Sequence, residues 1–283
     1  MNFDMKNSST AKLDMAKLDM AKFDMHCHTK EGSLDGKIHL EEYVSILKSK
    51  GYSGMLVTDH NSYEAYRHYT RHQSDEIFKD FVLLKGIEYD TIDAGHILVI
   101  MPEHTKLPLL ELRGLPVSIL IDLVHRFGGI LGPAHPCGEK YLSLLNTRRY
   151  RKNPAILGEF DFMETFNACE AEHSNRQAAA LAAKYNLPGF GGSDAHKTDC
   201  AGFGFTEFET PITCESELIA AVRAKACIRS GGTLYHGTTK EKIGRANDLL
   251  VYSFWLYNKT AGLMRCHQRH LAMASCGFSV RNT

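Results

Sequence analysis

Between residues 21 and 236 the chain alternates short apolar runs with amphipathic stretches, and that rhythm admits few folds. Residues 22–28 read as a strand. The helix LEEYVSILKSKG follows, with Leu40, Tyr43, Val44 and Leu47 at helical spacing and a glycine at its end. SGMLVTDH (53–60) reads as a buried strand and 62–72 as a short helix. FVLLKGIEYD (81–90) and GHILVIM (95–101) predict a hairpin. PVSILIDLVHRFG (116–128) predicts a helix with Pro at its start and Gly at its end. GILGPAH and FDFMETFNA read as strands, AEHSNRQAAALAAKYN as a helix, LPGFGGSDAH as a strand and loop, and CESELIAAVRAKA as a helix before CIRSG. Such alternation predicts an α/β barrel or a doubly wound sheet. A chain of 283 residues with 43% hydrophobic content is long enough for one large core. Beyond 236 the alternation stops, and residues 237–283, with the sole tryptophan Trp255, read as an appended helical segment.

The formal net charge is zero, which argues against a global electrostatic footprint for nucleic acid or membrane. Eight cysteines without a C-x-x-C pair resemble neither a disulfide framework nor a zinc ribbon. No apolar run is long enough to span a bilayer and no signal-peptide core is evident, so a cytoplasmic protein is expected. The segment AKLDMAKLDMAKFDMHCH repeats five residues three times, and only the third copy ends in His26-Cys27-His28. Residues 1–20 are therefore expected to be a dispensable arm, and 21–236 the working domain.

Histidine is the unusual residue, with fifteen copies. On a strand, alternate side chains share a face, so Asp24, His26 and His28 are expected on one side and Phe23, Met25 and Cys27 on the other. At the ends of later strands stand Asp59 and His60, Glu88, His96, His135 in GPAHP, and Asp194 with His196 in GGSDAH; Asp35 lies in the loop after the first strand. In α/β barrels strand C-termini converge on one mouth. Buried unpaired, each such group would cost several kcal/mol. Two or three divalent metals sharing a bridging carboxylate, with Glu88 as the bridge, would satisfy them together; imidazole and carboxylate suit Zn, Mn or Fe.

DMHCHT, VTDHNS, GIEYD, GPAHP and GGSDAH, in that order, resemble the motifs of the PHP family, the polymerase and histidinol phosphatase domain. The resemblance runs from about residue 21 to 232 and implies a distorted (β/α)7 barrel with a trinuclear metal site. It carries the metal-ligand role to His26, His28, Asp35, His60, Glu88, His96, His135, Asp194 and His196, with Glu88, Asp194 and His196 at the reaction centre. Asp24 and Asp59 match family positions too, as groups that orient imidazoles. The implied activity is hydrolysis of phosphate esters by a hydroxide formed from water between two metals. Ser193 lies outside any G-x-S-x-G elbow and reads as a turn residue.

The expected substrates are nucleotides or nucleic-acid ends, in the manner of a 5′–3′ exonuclease or nucleotide phosphatase. Histidinol-phosphate phosphatase is the enzyme alternative, and a non-catalytic PHP metal-binding module the alternative of another class. An amidohydrolase also opens with H-x-H on a strand, but its bridging lysine has no counterpart here. Only 38 residues separate His96 from His135, too few for an inserted cap, which favours an open site. Arg148, Arg149 and Arg151 follow the His135 strand and read either as phosphate contacts or as a solvated basic loop. Cys266, His267 and His270 lie within helical reach of one another, and a solvent face is expected for them. His68, His72, His104, His125, His173 and His236 are expected in ordinary surface or core roles.

Overall fold

The computed structural model describes residues 20–237, except 106, 140, 141 and 227, together with 249, 253 and 256. The repeats up to residue 19, and nearly all of the expected C-terminal segment with Cys266, His267 and His270, lie outside the described residues.

Strand β1 (Ala21–Cys27) begins where the repeats end. It pairs in parallel with β2 (Gly54–Val57), and β2 in parallel with β3 (Val82–Asp90). The helix between β1 and β2, α1 (Leu40–Ser49), buries the four residues its spacing singled out, Leu40, Tyr43, Val44 and Leu47. Glu41 and Glu42 in its first turn and Lys48 in its last complement the helix dipole. Helix α2 (Glu64–His72) joins β2 to β3. As expected, β3 and β4 (His96–Ile100) form an antiparallel hairpin, which β5 (Ile130–Pro133) extends after α3 (Val117–Arg126).

Strands β6 (Met163–Asn167) and β7 (Gly189–Gly192), linked by α5 (Glu172–Tyr185), form a separate parallel pair. The sequence reading passed over β8 (Gly204–Phe208), although its residues alternate between buried and half-buried. It runs antiparallel to β1, and after α6 (Glu215–Arg223) the last strand β9 (Ile228–Gly232) pairs antiparallel with it. The result is a curled seven-stranded sheet, β5-β4-β3-β2-β1-β8-β9, with β6-β7 beside it. The α/β character is as expected, but antiparallel pairs interrupt the ring of parallel strands.

Alternation along the strands sets what each face meets. On β3 Leu84 joins a core of Phe23, Leu56, Leu98, Phe162, Phe190 and Phe208, while Ile87 and Tyr89 pack with α3. Glu88 and Asp90 keep the parity of Leu84, so this face turns from apolar to acidic toward the strand's C-terminal end. On β4 His96 shares parity with Leu98 and Ile100, and its register partner is Asp90. On β1 strict alternation fails. The ladder to β2 shifts between Asp24 and Cys27. Asp24 turns to Tyr43 of α1 (3.2 Å) and to the Ser193 hydroxyl (2.5 Å), away from the imidazoles it was expected to join.

Candidate metal centre

The loop after β7 brings the two halves of the site together. Asp194 N donates to the His26 carbonyl (2.7 Å) and His28 N to the Ala195 carbonyl (3.2 Å), a parallel bridge between β1 and that loop. Glycine at 192 is required here, because a Cβ would collide with His26. Gly95, just before His96, combines φ +75° with a Cβ direction blocked by the Leu142 carbonyl. Three non-glycine residues at the site, Asn61 (φ 46°), His135 (φ 29°) and Asp194 (φ 49°), also hold left-handed backbone. Each costs about 1–3 kcal/mol, which surrounding contacts must offset.

Glu88 is 1% exposed and stands at the centre. Its Oε2 lies 3.4 Å from His26 Nε2, 3.2 Å from His28 Nε2 and 3.2 Å from His60 Nδ1. Its Oε1 lies 2.8 Å from His96 Nδ1 and 3.1 Å from His135 Nε2. Asp194 Oδ1 reaches His28 Nε2 (3.3 Å), His26 Nε2 (3.6 Å) and His196 Nδ1 (3.7 Å). Asp35 Oδ2 faces His196 Nε2 (3.4 Å) and His60 Nε2 (3.7 Å). All nine residues expected as ligands therefore meet in one cluster.

The donor set suits divalent cations. Four triads have ligand atoms within 4.8 Å of one another: His28-His60-His196, His26-His28-Asp194, His60-Asp90-His96 and Glu88-His96-His135. Asp35 Oδ1, His60 Nδ1, Asp90 Oδ1 and His96 Nδ1 are buried without a hydrogen-bond partner. His96 Nδ1 is only 2.8 Å from Glu88 Oε1, so the pair is close but misaligned for a hydrogen bond. Lone pairs aimed at a shared third body have that geometry. His26 Nε2 and His28 Nε2, 3.2 Å apart, converge in the same way.

The sequence profile of the PHP domain matches residues 24–191, more than half of the chain, and that of a PHP-associated segment matches 172–227. This chain belongs to the PHP domain family. No curated protein matches it significantly in sequence. Solved structures similar to it include PsfC from Pseudomonas syringae (TM-score 0.54, 17% identity, covering 86% of this chain and 99% of that one). Another is the lesion-specific endonuclease PfuEndoQ from Pyrococcus furiosus (TM-score 0.57, 17% identity, 75% of this chain, 57% of that one). A third is a predicted metal-dependent phosphoesterase from Bifidobacterium adolescentis (TM-score 0.53, 16% identity, 72% and 96%). At these identities the likeness is one of fold.

Two members of the PHP site escaped the sequence reading. Asp90 Oδ1 faces His96 Nε2 at 2.9 Å, close but misaligned for a hydrogen bond, while its Oδ2 is held by Arg113 (2.6 Å) and Asn61 (2.9 Å). Its signal was the spacing Glu88-x-Asp90 on a strand. Glu164 on β6 sits 2.9 Å from His26 Nδ1 and accepts from His135 N (2.5 Å) and Asn167 Nδ2 (3.2 Å). No local pattern in FDFMETFNA marks it. The orienting roles expected of Asp24 and Asp59 fall to other groups. Asp59 accepts from Thr29 N (2.7 Å) and Oγ1 (2.8 Å). Glu164, Ser33 and Ser143 contact the outer ring nitrogens of His26, His28 and His135. Glu164→Gln is expected to weaken metal affinity about 10- to 100-fold with the fold retained. Competition with a chelating dye measures this, and unchanged affinity would remove Glu164 from the site.

Without metal, the carboxylates hold protons on some rings. Burial disfavours charge on His28, but the hydrogen bonds that its ring donates to Asp194 and Glu88 outweigh it and raise its pKa to about 10. His96 also rises to about 10, burial being overcome by Glu88 and Asp90. His60 falls to about 4 because burial prevails. Burial opposes ionisation of Glu88 too, yet the facing His96, His60 and His26 hold its carboxyl well below the usual range.

The basic residues after β5 form a short helix, α4 (Arg148–Lys152), rather than a loop. Arg148 and Arg149 line a cavity of about 520 Å³ that adjoins Asp90 and His96. Arg151 does not: its guanidinium turns to the carbonyls of Thr147 (3.4 Å) and Asn146 (3.3 Å). Elsewhere His68 pairs with Glu41 (2.6 Å) and His125 with Asp161 (2.9 Å), as ordinary surface histidines do. No helix among the described residues is long and apolar enough to cross a membrane.

Proposed function

We propose that this PHP-family metal-dependent phosphoesterase hydrolyses phosphate esters of nucleotides or nucleic-acid ends. The observation that carries the reading is the Glu88 cluster opening beside a wall of Arg113, Arg148, Arg149 and Lys152. Divalent cations (Mn, Zn or Fe), held by His26, His28, Asp35, His60, Glu88, His96, His135, Asp194 and His196, supply Lewis acidity toward phosphoryl oxygens and a lowered pKa for water. Two or three ions are the number proposed, because the four triads share His28, His60 and His96.

The chain's own groups divide the remaining work. Glu88, with a 1% exposed side chain, anchors the buried end. His196, Asp194, Asp35 and His60, with side chains 16–31% exposed, stand toward solvent, where an ester enters. Asp194 and His196 are the reaction-centre residues in this reading. The Asp194 carbonyl contacts His196 Nδ1 at 3.0 Å, which fixes the ring with Nε2 toward Asp35. Arg148 and Arg149 place charge-assisted donors where phosphate oxygens approach. The endonuclease among the fold neighbours supports a nucleic-acid substrate.

The test is a panel with the Mn-loaded protein: nucleoside monophosphates and bisphosphates, 5′-phosphorylated oligonucleotides and histidinol phosphate. Turnover of nucleotide or oligonucleotide substrates at least about tenfold above histidinol phosphate in kcat/KM is expected, on the order of one charge-assisted contact. The reverse order would make the chain a histidinol-phosphate phosphatase. No turnover with full metal occupancy would make it a binding module.

A further inference from the structure

Two cysteines flank the loop that carries Asp194 and His196. Cys169 stands in the turn after β6, and Cys200 ends the short turn Thr198–Cys200 that follows the loop. Both are reduced. They pack in one cluster with Tyr235, and the two thiols lie within hydrogen-bonding reach of each other. Tyr235 spans the pair: its N donates to the Ala168 carbonyl (2.8 Å), next to Cys169, and its hydroxyl to Asp199, next to Cys200. Both sulfurs also touch the loop itself. Cys169 Sγ is 3.4 Å from the Ser193 carbonyl and 3.7 Å from that of Asp194, and Cys200 Sγ is 3.6 Å from the Lys197 carbonyl. The Asp194 carbonyl in turn contacts His196 Nδ1 at 3.0 Å, and Asp194 holds left-handed backbone that its contacts must sustain.

We propose that Cys169 and Cys200 are an oxidation site, forming a reversible disulfide under peroxide, and that this bond weakens metal binding through the Asp194–His196 loop. Cys200 is the attacking sulfur. Its contact with Cys169 holds the thiol below its usual pKa against the opposing effect of burial. The Cys200 thiolate attacks one peroxide oxygen and the O–O bond breaks. The departing hydroxide leaves as water with the thiol's proton, and Cys200 is left as a sulfenic acid. Cys169 then attacks the sulfenic sulfur, the S–O bond breaks, and a second water carries off that oxygen with the proton of Cys169. Two thiols lose two electrons and one peroxide gains them. The pair is not sealed, since Cys169 is only half-buried. Sulfurs in contact must close to about 2.05 Å, which draws the two segments together. The disulfide carries no S–H, so the carbonyls of Ser193, Asp194 and Lys197 lose their sulfur donors at once. The loop that sets Asp194 and His196 is then held by different contacts. The effect falls on metal binding, whatever ester is hydrolysed.

The experiment treats the metal-free chain with hydrogen peroxide and compares it with protein kept reduced, for the wild type, Cys200→Ser and Cys169→Ser. Tryptic mapping without reductant looks for a link between peptide 153–176, which holds Cys169, and peptide 198–223, which holds Cys200 and Cys214. Fragmentation of the linked pair assigns the bond to Cys200 or Cys214. Affinity for Mn is then measured by competition with a chelating dye. Oxidised wild type should show the Cys169–Cys200 link and bind Mn about 10- to 100-fold more weakly, the range seen when groups that orient metal ligands are lost. Dithiothreitol, removed before the titration, should restore the affinity. Cys200→Ser should form no link and keep its affinity through peroxide treatment. If Cys200→Ser does not fold, Cys169→Ser and the reversal in wild type make the same test. Neither readout uses turnover, so failure of the phosphoesterase reading is a separate result. No link, a link to Cys214, or a link that leaves Mn affinity unchanged overturns the proposal. So does an equal loss of affinity in a variant that cannot form the bond.

Discussion

Glu88→Gln is expected to lose metal and activity together, with kcat/KM falling by about 10³-fold or more. Gln keeps the shape but removes the one carboxylate that faces five imidazoles, and it turns an amide donor toward nitrogens that should bind cations. The metal-free protein is also weakened, because His26, His28 and His96 lose their buried counter-charge. Breaking such a pair costs about 3–5 kcal/mol, less whatever the rings recover by giving up protons. Elemental analysis, steady-state kinetics and urea unfolding in chelator measure the three effects. A variant with wild-type metal content and activity within about tenfold would remove Glu88 from the centre of the mechanism.

The second large effect is a dependence of metal stabilisation on pH. In the metal-free protein His28 and His96 have pKa values raised to about 10, against about 6.5 in the unfolded chain. Their contribution to stability is complete below about 6.5 and is lost as pH rises toward 10, because the folded state binds the extra protons across that window. His60, lowered to about 4, acts in the opposite sense, but only between about 4 and 6.5. Metal binding displaces protons from the rings, so metal affinity rises with pH. Each proton released is worth about 1.4 kcal/mol per pH unit. The difference in melting temperature between Mn-loaded and chelated protein should therefore widen from pH 6.5 to pH 9. A constant or narrowing difference would show that the rings carry no displaceable protons.

Much of the site was legible in the chain because the signals are local. A strand end with His at i and i+2 faces one way, so His26 and His28 declared themselves, as did Glu88 before a hairpin and Asp194 with His196 after a glycine run. The helices were legible for the same reason: the spacing of Leu40, Tyr43, Val44 and Leu47 is a property of one segment. Glu164 was not legible. Nothing around it in sequence distinguishes it from a core-strand acid, and its role exists only because the fold brings its carboxylate on β6 to His26 of β1 and to the His135 backbone after β5. β8 was overlooked for a different reason. Its glycine- and phenylalanine-rich text alternates, but five residues give a weak period.

The chain by itself determined the candidate ligand types, their order and the strand ends that carry them, because those follow from side-chain chemistry and a two-residue period. Tertiary structure alone decided which of these groups meet. The shifted register of β1 against β2 sent Asp24 to Tyr43 and Ser193, away from the imidazoles. The packing of α4 separated Arg148 and Arg149, which line the cavity, from Arg151, which turns back on its own helix. In both cases neighbours in sequence part company, because a side chain's surroundings are set by elements far along the chain whose distance no local spacing encodes.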